Sequence, residues 1–168
     1  MPQYKQKKKK AEEEARQREA ERVAAEQRRK AELEAQGLVD LGLSSGILWK
    51  NKNEDGGFYT YEQALNKFGN KLPTKEQFAE LKNECQWSWL GNGYRVTGPN
   101  GNSIVLPAAG YHGCNPFVYG VGYHGDYWSS SSTGDGTNTY WYLYIDSGKV
   151  DIDGHDRCRG QSVRLVQD

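Results

Sequence analysis

The stretch "TYWYLYID", Thr139–Asp146, restricts the fold more than any other part of the chain. A pleated strand sends alternate side chains to opposite faces, so Trp141, Leu143 and Ile145 share one face and Tyr140, Tyr142, Tyr144 and Asp146 the other. The first set satisfies a core. The second leaves three tyrosines without an internal task and is expected to face water. After the Ser147-Gly148 turn, "KVDID" continues the pattern: if Val150 and Ile152 point inward, Asp151 and Asp153 join the tyrosine side. His155, Asp156, Arg157, Cys158 and Arg159 are then expected in a loop beside it.

The elements around this strand point to an α+β domain. "LVDLGLSSGILW" reads as a hairpin, and "TYEQALNKFG" as a short helix stopped by Gly69. In "PTKEQFAELKNEC", Thr74 is an N-cap and Gln77 completes a capping box, while Phe78, Leu81 and Cys85 share one helical face. That spacing makes Cys85 a small buried residue rather than a nucleophile. "YRVTGPNGNSIVLP" is strand, turn, strand, and "YWSSS" and "QSVRLV" supply further strand candidates. Two helices followed by short strands lack the alternation of a parallel βαβ sheet. Residues 8–36 contain neither Gly nor Pro and are dominated by good helix formers. With Val23 and Leu33 as their large apolar residues they form no heptad seam, so a solvated helix is expected, a stalk or linker in preference to a coiled coil. The boundaries are therefore 1–37 for this charged segment and 38–168 for the domain.

Composition changes abruptly along the chain. Glu84 is the last glutamate, and Lys149 is the one lysine after it. Surfaces normally use Lys and Glu for solubility; here Tyr, His, Asp, Asn, Ser and Gly take their place. Tyr gives rigid amphipathic contact area and the small polar residues adaptable hydrogen bonding, as in antibody loops. The Gly-rich stretch "GYHGCNPFVYGVGYHGDY" adds His112, Asn115, Phe117, Tyr119, Tyr123, His124 and Asp126 to the candidate contact residues. The competing reading is a Tyr-rich sheet whose rings pack on their own cross-strand neighbours. The register of Thr139–Asp146 tips the balance toward binding.

Catalytic and metal chemistry find little support. Cys85, Cys114 and Cys158 match no metal spacing, and a Cys114–Cys158 bridge stays open. Asp151, Asp153 and Gly154 are a fragment of a calcium loop without its later ligands. His112, His124 and His155 read as polar contacts, and Ser129–Ser132 lack a nucleophile-elbow context. Gly-rich segments lack a P-loop lysine. No catalytic residue, metal or cofactor is expected. Residues 1–36 carry 11 basic and 8 acidic side chains and residues 85–168 carry 5 and 7, which argues against a nucleic-acid partner. No apolar run reaches the ~20 residues of a membrane span, and the start lacks the apolar region of a signal peptide. Cytoplasmic or virion-associated residence is the expectation.

Taken together, "LVDLGLSSGILW", "KLPTKEQFAELKNECQWSW", "GYRVTGPNGNSIVLPAAGY", "YWSSS" and "GQSVRLV" resemble the variable proteins with C-type lectin fold that bacterial and phage retroelements diversify. They are also similar to paralogous bacterial surface-protein modules of that fold. The resemblance runs from Leu38 to Val166. It implies a C-type-lectin-like fold of the formylglycine-generating-enzyme subtype, with a noncatalytic ligand-binding face in a variable region at about 111–160. In such systems template adenines are miscopied, and the affected codons cannot become Lys, Glu, Gln, Met or Trp. Trp128, Trp141, Leu143, Ile145, Gly160, Gln161, Val163 and Arg164 would be fixed scaffold. The subtype's oxidase chemistry needs paired cysteines that match no motif here. The implied partner is a protein or other macromolecule, with a homo-oligomer or structural partner open to the N-terminal helix. The alternative is a surface or virion module whose aromatic face packs on another subunit.

Overall fold

The computed structural model describes residues 2–168, which divide into two compact units, one ending at Gln36 and the other spanning Gly37–Asp168. The first is one helix, α1, Pro2–Ala35, whose 34 residues extend about 50 Å. Its side chains are exposed almost throughout. Pairs one turn apart, such as Arg22–Glu19 at 2.7 Å and Lys8–Glu12 at 4.0 Å, lie in water, where screening leaves each of them little weight. Gly37 follows at φ +69°, the left-handed conformation common just past helix ends.

The second unit is α+β, assembled from small antiparallel sheets. It opens with the hairpin β1 (Leu38–Asp40) and β2 (Leu48–Lys50), then α2 (Tyr61–Phe68), a 3₁₀ turn at Gly69–Lys71 and α3 (Lys75–Glu84). A meander follows: β3 (Gln86–Trp89), β4 (Gly93–Thr97) and β5 (Ser103–Pro107). Next come the two-residue strands β6 (Tyr111–His112) and β7 (Val118–Tyr119), the long strands β8 (His124–Ser132), β9 (Thr139–Asp146) and β10 (Lys149–Asp156), and finally β11 (Val166–Gln167). β11 pairs with β2, bringing the unit's last strand beside its first hairpin. Thr74 caps α3 as its sequence predicts: its hydroxyl accepts from Gln77 N at 3.1 Å, and its own N–H donates to the Gln77 amide oxygen at 2.9 Å. Thr60 and Gln63 repeat the device at α2. Such caps typically contribute about 1 kcal/mol each.

The central sheet, β10-β9-β8, is packed on both faces. On one side Leu143 and Ile145 of β9 are fully buried with Trp49, Phe78, Leu81, Val96, Leu106 and Tyr127. Val150 and Ile152, opposite Ile145 and Leu143, pack against this cluster as the alternation requires. On the other side Tyr142 is buried with Tyr59, Tyr61, Ala64, Leu72, Trp128 and Val163, and Tyr140 and Tyr144 pack against its margin. Tyr127 and Trp128 are adjacent in sequence and serve opposite cores.

Four local expectations are corrected. The tyrosine row does not stand in water, because a second core and the β6–β7 hairpin occupy its side. Trp141 belongs to neither core; it is half-buried, with Lys75 Nζ 3.7 Å from its ring centroid. His155 and Asp156 are strand residues of β10, opposite Tyr140 and Thr139, and not part of a loop. Of "QSVRLV" the last residue alone is in a strand; Gln161 and Ser162 make isolated bridges to Tyr59 and Tyr127. Arg164 is buried, its guanidinium donating to Asn53 Oδ1 at 2.8 and 3.0 Å and to the carbonyls of Lys50 and Val105.

Candidate functional site

Backbone pairing sets the hairpin over the even-numbered side of β9. His112 and Gly160 exchange N–H···O bonds of 2.7 and 2.8 Å, and Gly110 N donates to His124 O at 2.7 Å. Cys114 and Cys158, 44 residues apart, form a disulfide with Cα atoms 5.2 Å apart, tying the hairpin tip to the segment after β10. Gly120, at φ +71°, lets the chain turn back into β8. A Cβ there would lie 1.9 Å from His124 Nε2, so the turn closes against the imidazole only with glycine.

Beneath the hairpin the rings form a connected array around Tyr111. Its centroid lies 5.4 Å from Tyr119, 5.5 Å from His124 and 5.7 Å from His155, and Arg159 Cζ stands 4.8 Å from it. His155 stacks on Tyr142 at 4.5 Å, and His124 on Tyr144 at 5.6 Å. The Gln161 amide donates to His155 Nδ1 at 2.7 Å, a bond that needs that nitrogen unprotonated. Burial, with Arg159 next in weight, brings the His155 pKa down to about 4.

Asp126 is the least accessible charged candidate, 1 % exposed, with His124 Nδ1 3.4 Å from its Oδ1. Neither of these two atoms has a hydrogen-bond partner among the described residues. Burial pushes the Asp126 carboxyl up to about 7 against the pull of Arg159, and burial also lowers the His124 imidazole. Two adjacent groups both resist charge, so on the acid side of neutrality the carboxyl keeps its proton while burial disfavours the imidazolium.

The hairpin's outer side is different. Phe117 is 63 % exposed, Val121 62 % and Tyr123 78 %, and Val118 is exposed with them. Four large apolar side chains within seven residues make a ridge of a kind that surfaces rarely carry unpartnered. Of the sequence candidates, Asn115, Phe117, Tyr119, Tyr123, Asp153, Asp156 and Arg157 are exposed. His112, His124, Tyr140, Tyr144, Asp146, Asp151, His155 and Arg159 are half-buried. Asp126 and Tyr142 are buried, which corrects their reading as direct contacts: they are the floor beneath the hairpin.

Some candidates lie outside the Tyr111 cluster. Tyr140 stacks on Tyr61 with centroids 3.4 Å apart. Asp146 accepts from the Tyr144 hydroxyl at 2.9 Å, Asp151 meets Lys149 at 3.3 Å and Lys82 at 3.8 Å, and Arg157 meets Glu62 at 3.2 Å. Sequence reasoning missed Tyr111, Val118 and Val121. For Val121 the signal is local, an apolar residue set between glycines in "YGVGY"; Tyr111 and Val118 carry no such local signal. Among the described residues no three His, Cys, Asp or Glu side chains are placed to hold a metal, and no helix is long and apolar enough to cross a membrane. Comparisons with protein-family models, curated proteins and solved structures find no match.

Proposed function

We propose that Gly37–Asp168 is a noncatalytic binding module with a C-type-lectin-like fold, and that the chain is a retroelement-diversified variable protein. The observation that carries the binding reading is the exposed ridge Phe117–Tyr123, mounted on a ring-lined floor and anchored by backbone pairing. Aromatic residues held on a stiff support lose little entropy on docking, which suits them as binding anchors. The retroelement reading draws on the Lys- and Glu-poor composition of residues 111–160 and on the motifs named above.

A library of small protein domains displayed on phage and selected against the folded chain tests the binding reading. Selected binders should lose about 2 kcal/mol or more, roughly thirtyfold, on a Phe117→Ser/Tyr123→Ser variant whose circular dichroism is unchanged. Binders indifferent to that variant would refute it. The gene offers a separate check on diversification: AAC-type codons clustered at the ridge and face, a near-identical repeat nearby and an adjacent reverse transcriptase. A structural surface module uses the same ridge against another subunit. That reading predicts a concentration-dependent assembly in sedimentation, abolished by the same double variant.

A further inference from the structure

Residues 113–119, which carry Phe117 and Val118 of the ridge, are bonded to their own hairpin. Gly113 N donates to Phe117 O at 2.9 Å, and the Asn115 side chain accepts from Phe117 N at 3.1 Å and donates to the Tyr119 hydroxyl at 2.9 Å. Val118 and Tyr119 pair with His112 and Tyr111, and Tyr119 stacks on Tyr111. Among the described residues, none of the hydrogen bonds or ring contacts of 113–119 reaches beyond 111–119. The Cys114–Cys158 bond is what ties this tip to the rest of the unit. Paired strands of two residues each are marginal on their own in water.

The base of the hairpin is held differently. His112 and Gly160 exchange backbone bonds, Gly110 N donates to His124 O, and Gly122 N donates to Ala108 O at 2.7 Å. None of these passes through the bridge, so Val121 and Tyr123 keep their support without it. Both bridge cysteines are exposed, and a thiol in solution can reach their sulfurs. The free cysteine, Cys85, is half-buried, and burial pushes its thiol up to about 11, which keeps it protonated and out of exchange near neutrality.

We infer that the Cys114–Cys158 bridge is a redox latch on the ridge: oxidised, it holds Phe117 and Val118 in place for a partner, and reduced, it frees the tip while the base stays docked. This rests on the binding reading and specifies how that same face is regulated. The reductant is a dithiol. One of its thiolates attacks either sulfur, the S–S bond breaks and a mixed disulfide forms; its second thiol then displaces the cysteine, and the reagent leaves as a disulfide. The electron pair passes to the two cysteines, which end as thiols. A freed tip must be ordered again on docking, and that cost falls on affinity.

Amide hydrogen exchange of the full chain with and without dithiothreitol, followed by mass spectrometry, reads the release. Exchange should quicken at 113–119 and stay unchanged across β8 and β9. Phage-selected domains that depend on Phe117 should bind the reduced chain roughly tenfold more weakly than the oxidised one. A Cys114→Ser/Cys158→Ser variant should match the reduced chain and ignore dithiothreitol. Ridge-dependent binders that hold both forms equally, or exchange that quickens across β8 and β9 as well, would overturn the inference and leave the binding reading intact. Binders indifferent to the Phe117→Ser/Tyr123→Ser variant would overturn the binding reading and the regulation built on it, whatever the exchange pattern.

Discussion

The two sides of β9 solve one problem by different chemistry. Leu143 and Ile145 disappear into an apolar cluster that any correctly sized hydrophobic set could fill. One residue along, Tyr142 and Tyr144 meet His155 and His124 in stacked pairs, above a buried carboxyl and polar atoms that find no hydrogen-bond partner among the described residues. The first side is held by removal of area from water, and the groups on it that titrate, Tyr94, Tyr127 and Cys85, are all pushed upward by burial, away from the acid and neutral range. The second is held by ring stacking and by groups kept neutral through burial, so its stability varies with protonation.

The largest contrast is expected from truncation. Leu143→Ala should lose about 4 kcal/mol in urea unfolding at every pH, because it leaves a cavity among fully buried neighbours. Tyr144→Ala, at the margin of its cluster, should lose less than half of that. Equal losses would erase the distinction.

Next in size are two opposed titrations on the ring-lined side. A carboxyl raised from 3.8 to about 7 binds its proton more tightly in the folded state, so Asp126 lowers stability as pH rises through that window, by roughly 4 kcal/mol when fully ionised. An imidazole lowered from 6.5 to about 4 is protonated first in the unfolded chain, so His155 lowers stability as pH falls through its window. In the native protein the two slopes oppose each other between pH 4 and 7. Asp126→Asn should therefore unmask a stability that climbs with pH up to about 6.5, and His155→Gln one that declines toward pH 7. Urea titrations of both variants across this range read the slopes directly. Parallel profiles for the two variants would exclude the pair as the source.

The smallest effect concerns Trp141. Lys75→Ala should cost about 0.5–1 kcal/mol, the worth of a cation over a half-buried ring near the surface. A loss comparable to that of Leu143→Ala would return Trp141 to the core and redraw the boundary between the sides.

Much of this division is written locally. The period of two in "TYWYLYID" places Leu143 and Ile145 inside, and the turn at Ser147-Gly148 fixes which residues of β10 face them. Thr74 and Gln77 announce α3 in four residues. What the local pattern lacks is knowledge of what arrives from elsewhere. Tyr142 is covered because His112 pairs with Gly160, a contact across 48 positions that no periodicity encodes. Trp141 falls in the inward phase of the strand yet lies where α3 offers a lysine rather than apolar side chains. Tyr111 went unnoticed for the same reason: it matters through partners from β7, β8 and β10 that meet only in three dimensions.

In "YGVGY" glycines stand between the displayed side chains, and at Gly120 the imidazole behind leaves no space for a methyl group. The path of the polypeptide here is thus written in residues that present nothing, while Val121 and Tyr123, which do present something, carry little of the burden of directing it.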